Sequence, residues 1–90
     1  MEKGFNTDIV HMGQTYHVQT EDWGDQNPFV VTRVYKSGAV LVSLKTPYEK
    51  LLAVSFHRDL SQALKSSMRE QHQKVLDQLS SGRLFEVVVK

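Results

Sequence analysis

Thr46-Pro47-Tyr48-Glu49 divides the sequence into two kinds of pattern. Before it the apolar residues alternate; after it they recur every three or four positions, the periods of a strand and of a helix. The four residues also spell a capping box, with Thr46 as N-cap, Pro47 at the first helical position and Glu49 at the third. A β-rich half therefore feeds a helix. The expected class is α+β: a four-stranded antiparallel β-meander over residues 5–46, one long helix over 47–81 and a short terminal β-strand over 83–89, in a single domain spanning 1–90.

Upstream, residues 5–12 and 15–22 are strand candidates joined at Gly13-Gln14, a pair that suits a type II′ turn. That register sets His11 opposite Tyr16 and Ile9 opposite Val18. One face then carries Phe5, Ile9, Tyr16 and Val18, and the other carries Asp8, Val10, Met12, His17, Gln19 and Glu21. Glu21-Asp22-Trp23-Gly24-Asp25-Gln26-Asn27-Pro28 reads as a loop by composition. Residues 29–36 and 39–45 form a second hairpin around Ser37-Gly38, with Tyr35 against Val40, Arg33 against Val42 and Val31 against Leu44. Phe29, Val31, Tyr35, Val40, Val42 and Leu44 are expected on the core side. Val30, Val34 and Leu41 fall on the other, which is less polar than a purely solvated face should be.

Downstream, Tyr48, Leu51, Leu52, Phe56, Leu60, Ala63, Leu64 and Met68 make one apolar stripe. Arg69-Glu70-Gln71-His72-Gln73-Lys74 is wholly polar, after which Val75, Leu76 and Leu79 restore the stripe. A continuous helix here spans about 50 Å, whereas an eight-residue strand spans about 27 Å. Either the helix breaks near Ser66-Ser67 or its distal half projects beyond the sheet. With no glycine or proline between residues 48 and 81, projection is favoured, which leaves Val75, Leu76 and Leu79 for a partner. Gly82 suits the position just past the helix. The β-prone run Leu84-Phe85-Glu86-Val87-Val88-Val89 is expected to add to a sheet edge, its own or a second subunit's, and a homodimer is the expected assembly.

The 90 residues are 40% hydrophobic and 23% charged, with a formal net charge of +1, which gives no footprint for nucleic acid. There is no cysteine, so disulfides, thiolate catalysis and cysteine zinc sites are excluded and a cytoplasmic location is expected. Met1-Glu2-Lys3-Gly4 lacks the apolar region of a signal peptide. His11 and His17 point to opposite faces in the hairpin, and His57 and His72 lie too far apart along the helix to share an ion. No metal or other cofactor is therefore expected. Glu21, Asp22 and Asp25 carry carboxylates of the kind that bind calcium, but not at the spacing of an EF-hand loop. No nucleophile elbow, P-loop or dinucleotide fingerprint is present, and no enzymatic activity is expected. A small nucleic-acid-binding domain remains the alternative to a protein-binding one, although the basic residues are scattered among acids.

Two residues read both ways. Trp23 either folds back to cap the core or stands as an anchor for a partner, tryptophan and arginine being prominent in interface hot spots. Arg33 either pairs with Glu21 or Asp22 or reaches a partner's acidic group. With Val10, Val34 and Leu41 on the second sheet face and Val75, Leu76 and Leu79 at the helix end, these are the candidate partner-binding residues.

The segments Phe5-Asn6-Thr7-Asp8-Ile9, Tyr16-His17-Val18-Gln19-Thr20-Glu21-Asp22, Asn27-Pro28-Phe29-Val30-Val31-Thr32, Tyr35-Lys36-Ser37-Gly38 and Ser43-Leu44-Lys45-Thr46-Pro47-Tyr48 resemble a family of short bacterial proteins from predatory and gliding proteobacteria. Within it the chain resembles the RomX-like adaptors of the polarity module built on the Ras-like GTPase MglA and the response regulator RomR. The resemblance covers residues 5–52 and implies an adaptor of cell polarity and motility, one that joins the response regulator to the GTPase and favours its GTP-bound state. It transfers no site residues.

Overall fold

The computed structural model describes residues 4–24, 26–52 and 60–82. Four strands, β1 (Phe5–His11), β2 (Gln14–Asp22), β3 (Phe29–Lys36) and β4 (Ala39–Pro47), form one antiparallel sheet in the order β1-β2-β3-β4. Two helices follow, α1 (Tyr48–Leu52) and α2 (Leu60–Ser80). The α+β class and the four-stranded meander are as expected; the terminal strand expected over 83–89 lies outside the described residues.

Both hairpins turn on two residues of positive φ, Met12 (51°) with Gly13 (77°) and Ser37 (53°) with Gly38 (80°), the signature of type I′ turns. Glycine takes the second turn position in each, so the first turn is Met12-Gly13 rather than Gly13-Gln14. Ile9 accordingly pairs with Tyr16 and His11 with Gln14. The shift is by two residues, which preserves the faces: Phe5, Ile9, Tyr16 and Val18 remain together on the inner side.

On β3 the expected faces are inverted. Val18 pairs with Val34, Thr20 with Thr32 and Asp22 with Val30. The inner residues of β2 therefore carry Val30, Thr32 and Val34 inward, each buried. Valines occupy both faces of β3, so alternation alone could not choose between them. A register shift completes the change: Tyr35 pairs with Val40, Val34 with Val42, and Leu41 between them has no partner. Val42 packs partly into the core, while Val40 and Leu44 are exposed.

Tyr48, the first residue of α1, directs its backbone N–H to the Pro28 carbonyl at 2.9 Å. Thr46 and Pro47 are the last residues of β4, paired with Val30 and Phe29, so the expected capping box does not form. The single helix from 47 to 81 is also corrected. Tyr48 packs with Leu64 and Met68, residues that one straight helix would hold about 24 Å or more away. α1 and α2 are therefore separate helices packed side by side.

The 21 residues of α2 run unbroken through Ser66-Ser67 and span about 32 Å, matching nine-residue strands of about 31 Å. The distal half lies on the sheet rather than beyond it. Val75 and Leu79 join Tyr16, Val18 and Val34 in one buried cluster, with Ile9, Val42 and Leu76 against it. Met68 and Leu64 join Val30 and Tyr48 in a second, with Phe5 alongside. The helix ends on Gly82 at φ 80°, whose N–H bonds to the Leu79 carbonyl at 3.2 Å as one bond of a Schellman motif. Among the described residues no helix is long and apolar enough to cross a membrane.

Candidate functional site

Two polar constellations flank the sheet, one on each face. The inner one lies between the two apolar clusters and explains why the middle of α2 is polar. Gln71 Nε2 donates to Thr32 Oγ1 at 3.0 Å and, at 3.4 Å, to the Val30 carbonyl. Thr32 and Thr20 hydroxyls are 2.7 Å apart, Thr20 Oγ1 is 2.8 Å from His72 Nδ1, and His72 Nε2 is 2.8 Å from Thr7 Oγ1. Gln71 donates to Thr32, and the rest of the path is closed by a neutral imidazole. In one consistent arrangement the Thr32 hydroxyl donates to Thr20, Thr20 donates to Nδ1, and the Nε2–H donates to Thr7. Each group is satisfied with no ionic charge in the core. Burial lowers the pKa of His72, and the charge of His17 across the sheet lowers it further.

Nearby, the buried Asp22 accepts from the Tyr48 hydroxyl and from the Gly24 N–H at 2.9 Å. Asp22 thus closes the base of the β2–β3 loop and ties it to α1. Glu21 faces the other way, which divides the two carboxylates expected in that loop; Asp25 lies outside the described residues.

The outer constellation is assembled from that same alternation. With Asp22 inward, Glu21 and Trp23 emerge on the outer face, and the Trp23 backbone N–H bonds to the Phe29 carbonyl at 3.0 Å, extending the β2–β3 pairing by one residue. Phe29, Val31 and Arg33 share this face through the β3 register, and β4 adds Lys45 opposite Val31. The Arg33 guanidinium carbon lies 5.4 Å from the centroid of the indole. Lys45 Nζ lies 5.1 Å from the same ring and 4.1 Å from the centroid of Phe29. The indole Nε1–H donates to Glu21 Oε1 at 3.2 Å, and Arg33 Nη1 is 3.8 Å from that same oxygen. Val31, inside this ring of side chains, is only 1% exposed although α2 is on the far side of the sheet.

Trp23 therefore adopts neither expected position in full. It is half-buried, with Arg33 and Lys45 against its ring, but on the outer face and not in the helix-side core. Arg33 does approach Glu21, and its side chain keeps 34% of its surface exposed. Val10 is exposed on the outer side of β1, and Leu41 is exposed at the register shift. Val34, Val75 and Leu79 are not surface residues: they are buried, with Leu76 packed against them, because α2 covers the inner face along its whole length. Phe29 and Lys45 were missed by the sequence reading. The signal for Lys45 was its place opposite a buried valine on an edge strand, visible only once the extra residue at Leu41 sets the register.

Further along the outer face, His17 bonds through Nδ1 to Asp8 Oδ1 at 2.8 Å and through Nε2 to Asn6 Oδ1 at 3.2 Å, beside Tyr35. No described helix lies over any of these residues. Comparison of the chain with protein-family models, with curated proteins and with solved structures gives no match.

Proposed function

We propose that the chain is a non-enzymatic protein–protein adaptor in a cytoplasmic bacterial signalling or cell-polarity complex, and that it engages its partner through the outer face of the sheet. The observation that carries this reading is the Trp23–Arg33–Lys45 cluster on a face that no described helix covers. Aromatic and arginine side chains already held in place lose little freedom on binding and suit the centre of an interface. The resemblance over residues 5–52 names the partner class: a Ras-like GTPase together with a response regulator. Contact of the Trp23 loop with the GTPase switch regions would bias its nucleotide state. The test is nucleotide release from the GTPase, alone and with the response regulator, in the presence of this chain. Altered release that is lost in Arg33→Glu supports the reading; unchanged release with no detectable complex contradicts it.

The overhanging helix no longer argues for a homodimer, since its distal half is core. A homodimer built through residues 83–89 is proposed instead. Gly82 brings the chain beside the His11 imidazole, at the end of edge strand β1, where a β-prone segment of the same or a second copy would add. Light scattering on the full chain and on a version ending at Gly82 tests it, a dimer that becomes a monomer being the supporting result.

A small nucleic-acid-binding domain is the second reading, since Trp23 and Phe29 beside Lys45 resemble a stacking platform. It predicts affinity for single strands that falls steeply with salt.

A further inference from the structure

Among the described residues, the outer cluster holds more positive charge than it neutralises. Arg33 and Lys45 share one indole, and the carboxylate beside them is that of Glu21, whose Oε1 already accepts from the indole Nε1–H of Trp23. Arg33 stands off from it at 3.8 Å, beyond hydrogen-bond distance. Lys45 has no carboxylate within ion-pair reach among the described residues. Its ammonium instead rests over the faces of Trp23 and Phe29. Both cations are thus fixed by aromatic rings while their N–H donors remain available to an outside acceptor.

We infer that the Trp23–Arg33–Lys45 cluster docks an acidic segment of a protein partner, with carboxylates of the segment accepting from Arg33 and Lys45 while its apolar side chains lie against Trp23 and Phe29. This deepens the adaptor reading and rests on it. The cations are held in advance, so charge-assisted hydrogen bonds form with little loss of side-chain freedom. Nucleic acid fits less well. A phosphate backbone needs a continuous track of cations, and across this face it would meet Glu21 and then Asp8. A short segment with one or two carboxylates meets only the positive end of the cluster.

Trp23 is the only tryptophan in the chain, so its emission reports on this site alone. The full chain is titrated with an oligoglutamate peptide, an oligoglutamine peptide and oligothymidylate, at low and at physiological salt. The expected result is a saturable change in Trp23 emission with oligoglutamate and none with oligoglutamine. Lys45→Gln, an exposed position, weakens binding, and Arg33→Gln with Lys45→Gln weakens it by about tenfold or more. Lys65→Gln with Lys74→Gln, the same charge change on the exposed side of α2, leaves it unchanged. No response to oligoglutamate overturns the inference, as does a response to oligothymidylate of equal or greater affinity. So does a Lys65/Lys74 variant that weakens binding as much as the Arg33/Lys45 one. A null with the peptide removes the acidic-segment inference alone; the adaptor reading falls only when the GTPase release and complex test also fails.

Discussion

The ammonium of Lys45 lies 5.1 Å from the centroid of the Trp23 indole, on the sheet face turned away from α2. Trp23 reaches that position because the β2–β3 loop is anchored from below. Asp22 points inward to Tyr48, so the next side chain emerges outward, on the face that carries Phe29, Arg33 and Lys45. The chain's one tryptophan is thereby placed beside two cations instead of in the helix-side core.

Replacing Lys45 by alanine costs the fold less than about 1 kcal/mol, the range of an exposed cation–π contact. It nonetheless changes the emission of Trp23, whose surroundings it alters. Urea unfolding and emission spectra of the same variant check both statements. A large loss of stability would mean that the cluster serves mainly to hold the sheet together.

The distal half of α2 is core, so Leu79→Ala is expected to cost about 2–5 kcal/mol, the range for a fully buried leucine. Its side chain has no exposed surface. A chain ending at Met68 loses Val75 and Leu79 and is expected not to fold. Far-UV circular dichroism and urea unfolding decide: a well-folded truncation would return the distal helix to the role of a projecting arm.

The His72 network makes stability depend on pH with a definite sign. The folded-state pKa of His72 lies below its ordinary value, so below about pH 6.5 the unfolded chain binds a proton that the folded chain resists. Stability contributed by the neutral imidazole is full above that pH and is lost as pH falls toward the folded-state value. A protonated imidazole would have to donate from both ring nitrogens, to Thr20 and to Thr7, and would carry its charge between the two apolar clusters. Thr20→Val, which leaves both His72 and Thr32 short of a partner, is expected to cost about 1–3 kcal/mol. Urea unfolding across the window, with His72→Gln flattening the slope, is the measurement.

Met12 holds a positive φ of 51° at the first position of its turn while its side chain is 87% exposed. A left-handed conformation is costly for an ordinary residue and much less so for asparagine. Met12→Asn is therefore expected to raise stability by about 0.5–1 kcal/mol. The midpoint of thermal unfolding reads it, and a lower midpoint would argue against the turn assignment.

Much of the sheet was legible because turns and alternation are local. Gly38 and the faces of β1 and β2 follow from the spelling of those segments. The faces of β3 did not, since Val30, Val31 and Val34 make both sides apolar and the unpaired Leu41 breaks the register count. The polar stretch Arg69–Lys74 gave a false sign of exposure. Gln71 and His72 in fact face three threonines across the core, a pairing that depends on contacts more than 35 residues apart in sequence. Trp23 and Arg33 were recognisable as residues of interest from type alone. Their meeting with Lys45 and Phe29 depends on how β2, β3 and β4 are paired in register, which no local pattern encodes.

The central claim is that α2 closes one face of the sheet and the opposite face receives the partner. Backbone amide shifts of the labelled chain, followed while the oligoglutamate peptide is added, test it most directly. The account predicts changes concentrated at Glu21, Trp23, Phe29, Arg33 and Lys45, with Arg69, Gln73 and Asp77 on the far side of α2 unmoved. Changes centred on α2, or an absence of any saturable change, would contradict it.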